Sequence, residues 1–102
     1  MNHRTIRQTP AFTEWLDGLK DNMTRVRLNR RLDKAACGNL GDCKSVGDDV
    51  MEMREHFGPG WRMYFIEQNG ELILMLGGGD KSSQTKDIKA AKALAKRLED
   101  RL

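Results

Sequence analysis

Five side chains capable of ionic or proton-transfer chemistry fall in two short segments of the chain. Glu52, Arg54 and His56 alternate along "VMEMREHF", Arg62 follows the turn "GPG", and Lys81 closes the run "GGGDK". Arginine holds a phosphate group through two parallel hydrogen bonds, and lysine adds a compact positive charge. Histidine and glutamate can accept or donate a proton. These residue types therefore suit the binding of a phosphate and proton transfer beside it.

The elements that must position these side chains are predicted strands joined by two tight turns. Strands are predicted over residues 50–57, 61–67 and 71–77, preceded by an extended piece over 43–46. Asn69 and Gly70 form the strongest short hairpin signal available, because both residues tolerate a positive φ. The residues Gly58-Pro59-Gly60 suit a three-residue turn between the first two strands.

Helices are predicted on both sides of these strands. An opening strand over 5–8 leads to a helix that Thr9 caps and Pro10 starts. A second helix begins near Asn22, and a third runs over 82–102 from a cap among Ser82, Ser83 and Thr85. The predicted inward faces follow helical spacing: Phe12, Trp15, Leu16 and Leu19; Met23, Val26, Leu32 and Ala36; Ile88, Ala91, Ala95, Leu98 and Leu102.

The turns predict which residues face each other across the strands. With Phe57 opposite Trp61, His56 lies opposite Arg62 and Arg54 opposite Tyr64; the second turn then sets Arg62 opposite Gly77. One face of the sheet is expected to be buried under the first two helices: Met53, Trp61, Met63, Phe65, Leu72, Leu74 and Leu76. The other face is expected to be open and to gather the polar set: Glu52, Arg54, His56, Arg62 and Tyr64.

An ordinary structural explanation exists for each polar residue taken alone. Arg62 can be a surface arginine, His56 a residue at a strand end, and Lys81 a lysine before a helix. Gly77 to Gly79 can be a bulged strand exit. The convergence of the cations on one face favours a phosphate ligand, which Lys81 and the N-terminal amides of the last helix are also expected to reach.

Composition limits the remaining possibilities. The 102 residues suit one domain, 1–102, and the net charge of +3 leans towards anionic partners. The basic cluster of the second helix is either a solvated helix face or part of an anion-binding surface: Arg25, Arg27, Arg30, Arg31 and Lys34. Cys37 and Cys43 do not form a metal-ligand pattern with His3 and His56, so no metal and no cofactor is expected. No window resembles a signal peptide or a membrane helix, and a cytoplasmic location is expected.

The segment "GDCKSVGDDVMEMREHFGPGWRMYFIEQNGELILMLGGGDKSSQTKDIKAAKAL", Gly41 to Leu94, resembles the RelE/ParE toxin superfamily of type II toxin-antitoxin modules. The similarity is to the phage-related addiction module killer protein branch, which is allied to HigB-like toxins. Matching positions follow in order: Asp42, Lys44, Glu52, Arg54, Gly58, Pro59, Gly60, Arg62, Tyr64, Gly78, Gly79, Asp80, Lys81, Gln84, Asp87 and Ile88.

The resemblance implies an α+β, RelE-like fold: an N-terminal strand and two-helix hairpin packed on a twisted antiparallel sheet, with a C-terminal helix. It implies a metal-independent mRNA endonuclease acting at the ribosome, in which Arg62 holds the scissile phosphate. The candidate catalytic residues are Arg62, Arg54, Lys81, His56 and Glu52. The candidate RNA-binding residues are Tyr64, Lys44, Lys86, Arg30 and Arg31. Trp61 replaces the branch's usual tyrosine, and several family nucleases have a C-terminal tyrosine or histidine without a counterpart here, so the resemblance identifies no general acid.

The resemblance also implies partners and leaves alternatives open. The expected partner is a cognate antitoxin, usually a helix-turn-helix protein from the adjacent gene, and the two are expected to form a hetero-oligomer. ParE-like members of the superfamily instead inhibit DNA gyrase by protein contact, without a nuclease centre. A phage remnant that binds only its antitoxin is a third reading. The cluster of Arg54, His56, Arg62 and Lys81 favours the nuclease, because a protein-binding inhibitor does not need it.

Overall fold

A computed structural model describes residues 3–100 of the chain as an α+β fold with a five-stranded mixed sheet and three helices. The elements follow in order: β1 (Thr5–Gln8), α1 (Pro10–Asp17), α2 (Asn22–Ala36), β2 (Cys43–Gly47), β3 (Val50–Arg54), β4 (Arg62–Gln68), β5 (Leu72–Gly79) and α3 (Gln84–Asp100). A short 3-10 turn, Lys81–Ser83, precedes α3. No helix within residues 3–100 combines the length and apolar character needed to cross a membrane.

The sheet has the strand order β1-β5-β4-β3-β2, and it is not wholly antiparallel as predicted. β1 pairs with β5 in parallel, with Thr5 opposite Leu72 and Gln8 opposite Met75. The other three pairs are antiparallel. The prediction was wrong on this point. A tight turn makes neighbouring strands antiparallel, but β1 is joined to β5 by a long connection that includes α1 and α2, and such a connection allows a parallel pair.

Thr9 and Pro10 start α1 as the sequence predicts. The Thr9 side chain accepts a hydrogen bond from the Phe12 N–H at 3.3 Å and donates one to the Met75 carbonyl at 2.9 Å. The hydroxyl therefore caps the helix and ties it to β5.

The inward face of α2 differs from the prediction. The buried residues are Thr24, Leu28, Arg31, Leu32 and Ala35. Met23 is 64% exposed and Val26 is 38% exposed, so neither belongs to the core. Leu28, which the prediction omitted, aligns with Leu32 and Ala35 at i, i+4 and i+7 and sets the buried stripe.

Two apolar clusters lie on opposite faces of the sheet. The first joins the sheet to α1 and α2: Phe12, Leu16, Leu28, Leu32, Ala35, Met53, Met63, Phe65, Ile73 and Met75. The second joins it to α3: Val50, Tyr64, Leu76, Ala91 and Ala95, with Ile88 and Leu98 packed beside them. The second face is therefore covered over much of its area by α3, and the expectation of an open face was wrong. Leu102, predicted on the same helix face, lies outside the described residues.

The β3–β4 register is offset by two residues from the prediction. Arg54 lies opposite Arg62 and Glu52 opposite Tyr64. The loop after β3 is wider than a three-residue turn, with the Glu55 N–H donating to the Trp61 carbonyl at 2.9 Å. An offset of two preserves the face of every side chain, so the predicted faces of β3 and β4 survive.

The β4–β5 register is offset by one residue and then interrupted. Asn69 and Gly70 have positive φ values of 55° and 68°, as the hairpin prediction requires. Gln68 nevertheless pairs with Leu72 rather than Glu71, and a bulge follows beside Tyr64 and Phe65. Because a one-residue shift exchanges the two faces, Ile73 and Met75 enter the first cluster in place of the predicted Leu72, Leu74 and Leu76.

Candidate functional site

Arg54 and Arg62 lie directly opposite each other at one end of the sheet, beside the N-terminus of α3. Directly paired residues of antiparallel strands project their side chains on the same face. The two arginines therefore share the α3 face, at the end beside the first turn of α3, where Arg62 is buried. Gly79, rather than the predicted Gly77, is the residue of β5 opposite Arg62.

A small cavity of about 210 Å³ opens at this end of the sheet. Its lining residues are Glu55, His56, Gly58, Pro59, Gly60, Arg62 and Lys81. Three of the five predicted catalytic residues thus border one space. The cavity is the size of a small polar group rather than of an extended ligand, so it suits one phosphate with the rest of the ligand outside.

Gly60 allows the two halves of this cavity to approach each other. Its φ is +80°, and a Cβ at this position would lie 3.1 Å from Cγ and Cδ of Lys81. Glycine therefore meets both the backbone requirement and the space requirement. The stem of Lys81 packs over the loop, while the residue as a whole remains exposed.

Arg62 is held in place by the loop and by an acidic neighbour. Its Nη1 donates hydrogen bonds to the carbonyls of Glu55 and Trp61, each at 3.0 Å. Its Nε lies 3.8 Å from Oε1 of Glu52 and has no hydrogen-bond partner in the described residues. The guanidinium is thereby held beside the cavity, while its unpaired Nε–H is buried and faces Glu52.

Glu52 is buried and its carboxylate is already occupied. Oε2 accepts hydrogen bonds from the Tyr64 hydroxyl at 3.1 Å and from Nε2 of Gln84 at 2.8 Å. A carboxylate with these partners and no access to solvent is not placed to take a proton from a substrate. In the structure Glu52 supports Arg62 instead of facing a ligand.

Tyr64 is fully buried beneath the site and does not present its ring to a ligand. Burial, followed by the nearby Glu52 carboxylate, raises the pKa of the Tyr64 phenol. A neutral hydroxyl that donates to Glu52 stabilises the cluster from below. The structure therefore gives Tyr64 no means of stacking on an RNA base.

His56 and Arg54 meet a common acidic residue, Asp42. Nε2 of His56 lies 2.7 Å from Oδ2 of Asp42, and Nε of Arg54 lies 3.7 Å from the same oxygen. The hydrogen bond from His56 is the main reason that the pKa of the Asp42 carboxyl lies below its usual value. The imidazole is thus oriented by a carboxylate while remaining 66% exposed.

The other candidate RNA-binding residues divide between the two sides of the sheet. Lys44 is exposed on β2 opposite Glu52, and Lys86 is exposed near the start of α3, so both belong to the side that carries the cavity. Arg30 is exposed on α2, which packs against the other face. Arg30 therefore lies on the side of the sheet away from the cavity.

Arg31 is buried, and its guanidinium is engaged inside the protein. It donates hydrogen bonds to the carbonyls of Leu40, Asp42 and Arg54 at 2.8 to 3.2 Å and lies 3.3 Å from the Glu55 carboxylate. These contacts leave Arg31 unsuited to RNA contact. They make it the residue that fixes the start of β2 against the end of β3.

The N-terminus of the last helical segment is closed by Asp80. Its carboxylate accepts hydrogen bonds from the Ser82 hydroxyl at 2.5 Å and from the Ser82 N–H at 2.8 Å, and these two bonds, in that order, lower the pKa of the Asp80 carboxyl. The Asp80 carbonyl accepts from the Ser83 N–H at 3.2 Å. Amides satisfied in this way are not available to a phosphate, contrary to the expectation for this loop. Lys81 is the part of the loop that reaches the cavity.

Three residues beyond the predicted site prove to organise it. Asp42 orients His56, Gln84 bonds Glu52, and the backbone of Glu55 receives Arg62. Asp42 and Gln84 were visible in the sequence as matches to the family pattern, but nothing in their spacing assigned them a role. Glu55 gave no signal, because its part is played by a carbonyl group.

A larger cleft, of about 630 Å³, lies at the opposite end of the sheet near the β2–β3 turn. Its rim carries Asp48, Asp49, Glu67 and Glu99, so its charge is wrong for a phosphate ligand. Among the described residues, no group of three or more His, Cys, Asp or Glu side chains is arranged to hold a metal ion.

Comparison with known proteins shows sequence similarity to a protein described as uncharacterized. No family model matches the sequence. An "Uncharacterized protein" of Haemophilus influenzae (strain ATCC 51907 / DSM 11121 / KW20 / Rd) is 46% identical over 93 residues, which cover 91% of this chain and 94% of the relative. The similarity extends over nearly the whole of both chains, so the protein belongs to the same family as this Haemophilus influenzae protein.

Proposed function

We propose that this protein is a RelE-like toxin of a type II toxin-antitoxin module that cleaves mRNA without a metal ion. The observation that carries the proposal is the convergence of Arg62, His56 and Lys81 on one cavity, with Arg54 on the neighbouring strand. A held arginine, an exposed lysine and an exposed, carboxylate-bound imidazole are groups that can stabilise charge and transfer a proton in phosphodiester cleavage. The resemblance of the surrounding motifs to the RelE/ParE superfamily supports the same conclusion.

In this proposal the RNA supplies its own nucleophile, the 2′-hydroxyl beside the scissile phosphate. Arg62 binds the phosphate and stabilises the charge that grows on it, and Lys81 adds a second positive charge from the opposite wall. His56 transfers the proton. Glu52 and Tyr64 act beneath the site by holding the Arg62 guanidinium, which is the role that their burial permits.

The flanking RNA runs over the exposed lysines on the cavity side of the sheet. Lys44 and Lys86 are placed to meet phosphates before and after the cleaved one, because both are exposed on that side. The protein acts in the cytoplasm on ribosome-bound mRNA. An antitoxin, encoded beside the toxin, neutralises it by covering the cavity with acidic and apolar groups in a hetero-oligomer.

A second candidate is a ParE-like inhibitor of DNA gyrase without a nuclease centre. The burial of Glu52 and Tyr64 favours it, since two of the predicted active-site residues are consumed in an internal network. The exposed Met23 and Val26 of α2 are also of the type that contacts a protein partner. The cavity cations favour the nuclease over this candidate.

The test uses substitutions that spare the buried network. Lys81→Ala and His56→Ala each remove an exposed side chain of the cavity, and Lys89→Ala removes a matched exposed lysine of α3. Each protein is induced in bacterial cells at equal level, growth is followed, and the 5′ ends of cellular mRNA are mapped. The wild type and Lys89→Ala should arrest growth and create new mRNA ends at codon-linked positions, whereas Lys81→Ala and His56→Ala should lose both effects.

Three results would contradict the nuclease. Growth arrest with intact messages and DNA breakage would support the gyrase inhibitor instead. Undiminished cleavage by both Lys81→Ala and His56→Ala would remove the cavity as the active site. A wild-type protein with no effect on growth would favour the remnant that only binds its antitoxin.

A further inference from the structure

Asp42 is built into the framework of the protein on its backbone side. The Asp42 carbonyl accepts hydrogen bonds from Nη2 of the buried Arg31 at 2.8 Å and from the Arg54 N–H at 2.9 Å. The residue directly precedes β2, whose pairing with β3 continues the same ladder. The position of the Asp42 carboxylate is therefore set by the sheet and by Arg31, although the carboxylate itself is exposed.

The carboxylate of Asp42 binds one specific nitrogen of His56. Nε2 of His56 lies 2.7 Å from Oδ2 of Asp42. An ionised carboxylate can only accept hydrogen bonds, so we assign the proton of the neutral imidazole to Nε2. Nδ1 then carries the free lone pair. His56 itself lines the cavity that Arg62 and Lys81 also border.

We propose that Asp42 is a positioning residue that fixes the Nε2–H tautomer of His56 and leaves Nδ1 as the general base. The inference rests on the proposed function. As the bond from the 2′-oxygen to phosphorus forms, Nδ1 takes the 2′-hydroxyl proton. The bond from phosphorus to the 5′-oxygen breaks, and that oxygen takes a proton from water. The imidazolium returns its proton to the hydroxide so formed, so the products are a 2′,3′-cyclic phosphate and a 5′-hydroxyl.

The charges around His56 explain why such a partner is needed. Arg62 and Lys81 share its cavity, and Arg54 lies beside Asp42, so three cations repel an imidazolium that forms during the reaction. Glu55 also borders the cavity, but its carboxylate lies 3.3 Å from the Arg31 guanidinium. Asp42 is therefore the acidic group that contacts the imidazole directly and offsets the repulsion when the proton arrives.

Nuclear magnetic resonance of the imidazole nitrogens tests the orientation without any need for activity. The chain has only two histidines, His3 and His56, so assignment is direct. In the wild type, the nitrogen chemical shifts of neutral His56 should show a protonated Nε2 and an unprotonated Nδ1. In Asp42→Ala the two shifts should move towards each other, as in a free imidazole that samples both tautomers, while Asp17→Ala, the same change at an exposed residue of α1, should leave them as in the wild type. A protonated Nδ1 in the neutral wild-type imidazole, or unchanged nitrogen shifts in Asp42→Ala, would overturn the inference.

Cleavage kinetics test whether the orientation serves the reaction. Asp42→Ala should lower kcat by about 10- to 100-fold with KM nearly unchanged, which is less than the ~10²- to 10⁴-fold range typical for loss of a general base. Adding Asp42→Ala to His56→Ala should cause no further loss, because Asp42 acts through His56. A further, multiplicative loss in the double variant would overturn the positioning role. A wild-type protein that leaves RNA intact would overturn the proposed function and the cleavage role together, while the nitrogen spectra would still decide whether Asp42 orients His56.

Discussion

Nε of Arg62 lies 3.8 Å from Oε1 of Glu52, and the two side chains keep only 5% and 2% of their surface exposed. The pair joins a network in which Tyr64 and Gln84 also bond Glu52. An ion pair shielded from water is costly to form. Removing one partner costs more, because the other charge then stays buried without water or an opposite charge to stabilise it. The same contacts that place the proposed phosphate-binding arginine thus contribute to the stability of the fold.

Glu52→Ala should destabilise the protein strongly. Removing the carboxylate leaves the buried Arg62 guanidinium without its neighbouring negative charge, and the loss expected for breaking a buried pair is about 3–5 kcal/mol. Urea unfolding of the variant and the wild type gives the difference. Glu14→Ala, at an exposed position of α1, is the control and should unfold within about 0.5 kcal/mol of the wild type. Equal midpoints for both variants would show that Glu52 does not stabilise the fold.

Arg31→Ala and Arg30→Ala remove the same charge at adjacent positions, but only Arg31→Ala should lower the free energy of unfolding substantially. Arg31 donates to the carbonyls of Leu40, Asp42 and Arg54, of which that of Asp42 also accepts from the Arg54 N–H. A carbonyl left without a partner inside the protein costs about 1–3 kcal/mol. Arg30 is exposed on the same helix, and its loss should leave the urea midpoint nearly unchanged. If the two variants unfold together, the Arg31 contacts are not needed for the fold.

Gly78→Ala should cost about 1–3 kcal/mol through overpacking. A Cβ at Gly78 would lie 2.4 to 2.6 Å from three ring carbons of Trp15, so α1 would have to shift on β5. The neighbouring Gly77 is the matched control, because a Cβ there meets nothing within 4 Å. Thermal unfolding should show a lower midpoint for Gly78→Ala only. A Gly77→Ala variant as unstable as Gly78→Ala would contradict the packing described.

Tyr64 should remain un-ionised until the protein unfolds in alkali. Burial raises the pKa of its phenol in the folded state. As pH rises, the unfolded chain therefore loses the phenol proton at a lower pH than the folded chain does. The contribution to stability is complete below the unfolded pKa of about 10 and is lost as pH rises above it.

The alkaline titration of Tyr64 can be read directly, because it is the single tyrosine of the chain. Tyrosinate absorbance and loss of helical circular dichroism should rise together above pH ~10, whereas in urea the absorbance alone should titrate near ~10. Ionisation near ~10 with the helices intact would mean that the phenol is accessible to water.

Arg62→Ala is a poor test of function on its own. Its guanidinium spans Glu55, Trp61 and Glu52, so truncation would disturb the loop as well as the cavity. Loss of activity in that variant would not distinguish a missing phosphate ligand from a damaged fold. Lys81 and His56, which are exposed, allow that distinction.

The sequence by itself determined the α+β class, the places where the chain turns, and which residues of β3 and β4 share a face. Thr9 and Pro10 started a helix, and Asn69 and Gly70 made a turn, because caps and positive φ values depend on neighbouring residues alone. The faces of β3 and β4 followed from strand alternation, which an offset of two residues does not alter.

Only the tertiary structure decided the register of β5, the inward face of α2 and the covering of the sheet by α3. A one-residue change at the Asn69–Gly70 turn exchanges the faces of Leu74 and Met75, and no local signal distinguishes the two pairings. The burial of Glu52, Arg62 and Tyr64 depends on where α3 packs, which involves residues distant in sequence. Charge and spacing predicted that the cations meet, but whether a given polar side chain faces solvent or the interior is settled by the packing of the remaining chain around it.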